Sequence, residues 1–130
     1  PCATQNEIGI KEAKQIIANG TKYYIEVANM PTTEEALNFL IDRKEVIVAP
    51  SKAVNAGGVC VSGLEMSQNS QRLSWTAEEV DEKLHNAMIN IHKHSVEAAE
   101  KYGLGYDLVA GANIAGFEKV AEAMMAQGIY

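Results

Sequence analysis

At 130 residues, with 47% hydrophobic and 22% charged residues, the chain has the size and composition of one globular domain. A formal net charge of -6 without a basic run argues against a nucleic-acid surface, and no apolar stretch approaches the roughly 20 residues of a membrane span. Cys2 and Cys60 stand far apart with no second cysteine or histidine at ligand spacing, which speaks against a disulfide framework or metal site and for a reducing cytoplasm.

The chain opens at Pro1 and runs into a polar turn, Pro1-Cys2-Ala3-Thr4-Gln5-Asn6-Glu7, as the interior of a longer chain would. Ile10, Ala13, Ile16 and Ile17 then recur at helical spacing, and Gly20 stands where a helix ends. Tyr23 to Val27 is short, aromatic and β-branched, which predicts a strand. Thr32 or Thr33 caps a second helix that begins at Glu34 and Glu35, acids that suit the positive end of a helix dipole. Val46-Ile47-Val48-Ala49 is apolar throughout and ends at Pro50, as expected of a strand buried on both faces of a parallel sheet.

From Asn55 onward no further strand is predicted. Thr76-Ala77-Glu78-Glu79 forms a capping box, and Val80, Leu84, Met88, Ile91, Ser95, Ala98 and Tyr102 extend a long helix to about Tyr102. Gly103 and Gly105 stop it. A last helix is expected over approximately Ile114 to Gln127, with Phe117, Val120, Ala121, Met124 and Met125 on its buried side. Helix-strand-helix-strand order is that of an α/β layer, here with a helical tail.

Two loops follow the predicted strands, and ligands of open α/β sheets bind at strand carboxyl ends. They are Ala28 to Thr33 and Pro50 to Val59. Asn29 and Asn55 each offer an amide that donates and accepts, which suits a carboxamide ligand, and Gly57-Gly58 would let the backbone approach a ligand closely. From residue type alone these are weak signals. Asparagine after a strand is more often a turn former, and paired glycines more often a tight connection.

Longer motifs sharpen the reading. Pro-Cys-Ala-Thr-Gln-Asn-Glu (1–7), Ala-Asn-Met-Pro-Thr-Thr (28–33), Asn-Ala-Gly-Gly-Val (55–59), Ser-Gly-Leu-Glu-Met-Ser-Gln-Asn (62–69) and Gly-Ala-Asn-Ile-Ala-Gly-Phe (111–117) occur in series. In order and spacing they resemble those of the hexameric glutamate dehydrogenases, within the glutamate/leucine/phenylalanine/valine dehydrogenase family. Val27 and Ser51 make the chain look most like the clostridial NAD-linked branch.

That resemblance implies an α/β fold: the second half of a Rossmann-type dinucleotide-binding domain followed by long C-terminal helices. Residues 1–75 would be the late half of that domain, with the nicotinamide and substrate loops, and 76–130 its helical tail. The implied reaction is reversible oxidative deamination of glutamate to 2-oxoglutarate and ammonia, with hydride passing to NAD or NADP, NAD being the leading expectation. Asn29 and Asn55 would lie beside the nicotinamide and its ribose. Val59 would form an apolar wall of the glutamate pocket, and Ser62 would bind the side-chain carboxylate. Leucine and phenylalanine dehydrogenases are apolar at this point, so Ser62 favours glutamate. The alternative for Ser62 is a serine capping a local turn.

By the same resemblance, the catalytic lysine and aspartate, the substrate-binding lysines and the glycine-rich fingerprint belong upstream of Pro1. The segment is therefore expected to be inactive alone, to come from a homohexameric cytoplasmic parent, and to self-associate through an open edge at Tyr23 to Val27. A stand-alone binding or assembly module is the alternative of a different class, and another amino-acid dehydrogenase the alternative within it. The remaining candidates read plainly. Lys52 is a solvated charge, and His85, His92 and His94 are exposed helix residues without metal-pair spacing. Cys2 is expected to be a buried inert thiol, Trp75 a hydrophobic staple, and Met124-Met125 core.

Overall fold

The computed structural model describes residue 2 and residues 4–128. Its elements are α1 (Ile10–Ala18), β1 (Tyr23–Ile25), α2 (Glu34–Ile41), β2 (Ile47–Ala49), α3 (Ser51–Val54), α4 (Ala56–Gln71), α5 (Ala77–Lys101) and α6 (Leu108–Gln127). The α/β reading with a helical tail holds.

β1 and β2 pair in parallel, with Tyr23 opposite Ile47, Tyr24 opposite Val48 and Ile25 opposite Ala49. α2 makes the connection between them, capped by Thr33, whose hydroxyl accepts from the Ala36 N–H at 3.4 Å. The core gathers where α1, α2 and β2 meet: Ala13, Ala36, Leu40, Val46 and Val48 are buried together, with Ile17 and Phe39 packed around them. β1 ends at Ile25, two residues short of the expected strand. β2 buries Val48 but leaves Ile47 37% exposed, so it is not covered on both faces. α2 and α6 both pack against β2, while Tyr23 and Ile25 of β1 stay exposed.

Two helical segments differ from the expectation. The stretch from Pro50 to Val59 is helical and not a loop: α3 turns once, Asn55 marks a break, and α4 continues for 16 residues. Gly57, Gly58 and Gly63 each cost a helix about 1 kcal/mol relative to alanine, which hid α4 from a propensity reading. Packing against α5 overrides that cost. A methyl group on Gly57 would stand 3.3 Å from Leu84 and 3.4 Å from Met88, so this glycine lets α4 and α5 approach closely.

α6 begins at Leu108, six residues before the expected start. Asp107 caps it, its carboxylate accepting from Val109 and Ala110 at 3.0 and 2.9 Å. The expected buried side of its later half is open: Phe117 is 72% and Met125 70% exposed, with Val120 and Met124 also out in solvent. Burial occurs at the other end, at Leu108 and Gly111, where α6 crosses α5 beside Ser95, Ala98 and Ala99. The apolar stripe is real, but no described element covers it.

α5 keeps its predicted form. The Thr76 hydroxyl accepts from Glu79 N–H at 3.2 Å, while the Glu79 carboxylate accepts from Thr76 N–H at 2.7 Å. Tyr102, expected to continue the packed stripe, ends the helix and is exposed. Trp75 is half-buried beneath the Lys83 ammonium, 5.1 Å from its ring centroid.

Candidate functional site at the strand carboxyl ends

The two strands finish side by side, so the segments that follow them emerge together. From β1 the chain passes through Glu26, Val27 and Ala28 to Asn29, then turns sharply at Met30, whose φ of 47° is in the left-handed region. Such backbone is uncommon without glycine, and here it is strapped from outside. Asn6 N–H donates to Met30 O at 3.0 Å and Ile8 N–H to Pro31 O at 2.9 Å. The Tyr24 hydroxyl pairs with the Thr32 hydroxyl at 2.6 Å, and burial pushes the Tyr24 phenol above its ordinary range.

From β2 the chain passes through Pro50 into α3 and reaches Asn55, which ends α3 and begins α4. The Asn55 side-chain N–H donates to the side-chain oxygen of Asn29, closing the mouth between the strands. Beyond that bond, no described residue uses the side-chain NH2 group of Asn29 or the side-chain oxygen of Asn55, which leaves a donor group on one amide and an acceptor group on the other. Exchanging the oxygen and nitrogen of both amides leaves the same complement, so it does not depend on their assignment. A carboxamide presents the matching acceptor and donor.

Asn55, Val59 and Ser62 follow at i, i+4 and i+7, which places them on one side of α4 over roughly 10 Å. Val59 is 77% exposed and Ser62 is exposed, its hydroxyl free of any hydrogen bond among the described residues. Gly57, Cys60, Leu64 and Gln68 face inward on the same helix and are half-buried. The structure thus joins Asn29 to Asn55 directly, and Asn55 to Val59 and Ser62 along a helix. Ser62 caps no turn; it is the seventh residue of α4.

Two further contacts hold this arrangement. Lys52, read as a solvated charge, donates to the side-chain oxygen of Asn113 and so ties α3 to α6. Glu26, which the sequence offered only as a strand residue, is 4% exposed, and its carboxyl accepts from Ser51 N–H at 3.1 Å. An acid inside a strand-like run was the only signal for it.

The other candidates lie elsewhere. His85, His92 and His94 are exposed on α5, and His92 pairs with the Tyr106 hydroxyl at 2.6 Å. Among the described residues no cluster of histidine, cysteine and acid could hold a metal ion, and no helix is long and apolar enough to cross a membrane. Cys2 is half-buried, and burial followed by the Glu7 carboxyl pushes its thiol up. A thiol so shifted is a poor nucleophile at neutral pH.

The sequence profile of the Glutamate/Leucine/Phenylalanine/Valine dehydrogenase family matches residues 1–128. The chain is 71% identical over 129 residues to the NAD-specific glutamate dehydrogenase of Clostridium symbiosum, covering 99% of the chain and 29% of that protein. It is 60% identical over 134 aligned positions to the NAD(P)-specific glutamate dehydrogenase of Xylanibacter ruminicola, covering 100% of the chain and 29% of that protein. A solved glutamate dehydrogenase structure superposes with a TM-score of 0.95 at 71% identity, again over 99% of this chain and 29% of the other. The chain therefore spans under a third of the length of these relatives.

Proposed function

The chain belongs to the glutamate/leucine/phenylalanine/valine dehydrogenase family, and from that premise we propose that it is the C-terminal part of a glutamate dehydrogenase. The observation that carries this reading is the joined set Asn29, Asn55, Val59 and Ser62. It puts an amide pair at the strand ends and a free hydroxyl about 10 Å along one helix from it. A stand-alone binding module is not favoured, since the relatives carry this segment within a longer enzyme.

On this reading residues 1–75 are the late half of a Rossmann-type domain and 76–130 its helical tail. Asn29 and Asn55 hold the carboxamide of NAD or NADP and fix which ring face is presented. The dinucleotide, when bound, accepts the hydride from the amino acid's α-carbon. Val59 lies against the aliphatic part of glutamate, and the Ser62 hydroxyl donates to the distal carboxylate, a charge-assisted bond that an apolar residue cannot make. A nicotinamide site and a substrate-carboxylate site on one helix set the distance between the two reactants.

Residues of this chain bind and orient; the acid/base group and the fingerprint for the pyrophosphate come from the rest of the enzyme. We place the enzyme in the cytoplasm as a homohexamer. The test is an amino-acid panel on the full-length protein with both coenzymes. Glutamate turnover well above that of leucine, phenylalanine and norvaline supports the reading, and preference for an apolar amino acid overturns it. The 130-residue chain alone should show no turnover.

A further inference from the structure

The Asn29–Asn55 pair sits where local structure is short or broken. Asn29 follows a three-residue strand through an exposed loop, and Asn55 stands at the break between the four-residue α3 and the N-terminus of α4. α3 is poorly anchored by its own sequence. Its N-cap is Pro50, which has no side-chain acceptor, so the N–H of Ser51 has no partner within α3. Hydrogen-bonded pairing between the strands ends where Glu26 N–H donates to Ala49 O at 3.1 Å.

One side chain bridges the gap. The Glu26 carboxyl reaches from the end of β1 to Ser51 N–H on the neighbouring segment, and the bond is buried. Glu26 stands three residues before Asn29, and Ser51 four residues before Asn55. The Glu26–Ser51 bond is therefore a cross-tie just beneath the Asn55–Asn29 bond, joining the same two segments. We propose that Glu26 is a positioning residue: its carboxyl oxygen anchors the first N–H of α3 and so sets the separation of Asn29 and Asn55 at which both amides meet one ligand carboxamide. This rests on the nicotinamide reading of the asparagine pair. It adds that the spacing is set from below by a group that never touches the ligand.

The needed property is an acceptor atom at the Glu26 position and an N–H at Ser51. Glu26→Leu removes the acceptor, and Glu26→Gln retains one. Ser51→Pro removes the donor and leaves the acid in place. Proline is well suited to the first residue of a helix, and Pro50, at ψ 148°, already has the extended backbone that precedes proline.

The experiment measures dissociation constants in the full-length enzyme for NAD or NADP, whichever the wild type binds more tightly. The comparison ligand is ADP-ribose or its 2′-phosphate, which lacks the nicotinamide. Glu26→Leu and Ser51→Pro should each weaken the dinucleotide about tenfold and leave the ADP-ribose ligand within about twofold. Glu26→Gln should stay close to wild type for both ligands. A general loss of structure would weaken both ligands together, which overturns the proposal, as does a Glu26→Gln defect equal to that of Glu26→Leu. Should Glu26→Leu fail to fold, Ser51→Pro carries the same comparison.

Asn29→Ala separates the two levels. If it weakens the dinucleotide selectively while the Glu26 and Ser51 variants do not, the positioning role falls and the nicotinamide reading stands. If Asn29→Ala shows no selectivity, both fall.

Discussion

Ser62 stands on the open side of α4 with a hydroxyl that no described group engages, one turn from Val59 and two from Asn55. A hydroxyl that stabilises nothing in the fold can be removed with little effect on stability. Its loss is then felt by the carboxylate it is proposed to bind. In the full-length enzyme, Ser62→Ala is expected to lower kcat/KM for glutamate about ten- to hundredfold, from roughly 1.5–3 kcal/mol for a hydrogen bond to a charged group. Coenzyme affinity and Tm should hardly move, and the gap between glutamate and norvaline should narrow. Steady-state kinetics on both substrates with a melting curve test this, and an unchanged glutamate-to-norvaline ratio would remove Ser62 from the pocket. Asn29, Asn55, Val59 and Ser62 were legible as residues because they sit in long motifs. Their joining was not: that Asn55 donates to Asn29 depends on two strand ends lying side by side. Glu26 was hidden for the same reason, since its partner is 25 residues away.

At the scale of elements, local chemistry decided what could be read. α5 was legible because its capping box and period are written in adjacent residues. α4 and the first turns of α6 were not, because their glycines argue against a helix until the neighbouring helix is present. Gly111 is the clearest case. A methyl group there would lie 1.9 Å from the Ser95 carbonyl oxygen, so α6 can cross α5 at this point only without a Cβ. Gly111→Ala is expected to destabilise the chain by about 3 kcal/mol or more. Gly116→Ala, with nothing within 4 Å of the new methyl, should stabilise it by about 0.5–1 kcal/mol. Urea unfolding of both variants checks the contrast; equal effects would mean the crossing is looser than it looks.

The far end of the same helix pair carries an ionic contact whose effect depends on pH. Lys101 Nζ and the Tyr102 hydroxyl both reach the Glu118 carboxylate, at 2.5 and 2.8 Å. These bonds, Lys101's first, hold the Glu118 carboxyl below its usual range, and the bond to Glu118 raises both Lys101 and Tyr102. A lowered acid stabilises the fold above its ordinary value, about 4.3, and that contribution is lost as pH falls through the folded value. The raised lysine and phenol stabilise below their ordinary values, about 10, and that contribution is lost as pH rises past them. Tm measured against pH should therefore be flat between those limits and fall at each end. Glu118→Gln should lower the plateau and soften both falls; an unaltered profile would make the contact incidental.

The whole molecule leaves much apolar surface uncovered. Among the described residues, Tyr23 and Ile25 on β1 and Val27 just beyond it are exposed, β1 pairs with β2 on one side only, and Phe117, Val120, Met124 and Met125 form an open stripe on α6. An unpaired strand edge beside apolar side chains is a template for another chain. The isolated 130-residue chain is expected to self-associate at tens of micromolar, and a sharp monomer in sedimentation velocity would contradict that. Here the sequence reading ran out in a physical way. Periodicity identified the stripe on α6 correctly and assigned it to a core, but periodicity cannot say whether the covering surface lies within this chain.

The most direct test of the central claim is a hybrid enzyme, in which this chain replaces the corresponding 29% of the Clostridium symbiosum NAD-specific glutamate dehydrogenase, with which it shares 71% identity. The measurement is glutamate-dependent reduction of NAD. A folded hybrid that oxidises glutamate, and loses that activity selectively on Ser62→Ala, is the predicted result. A folded hybrid that binds NAD and glutamate but transfers no hydride between them would contradict the account.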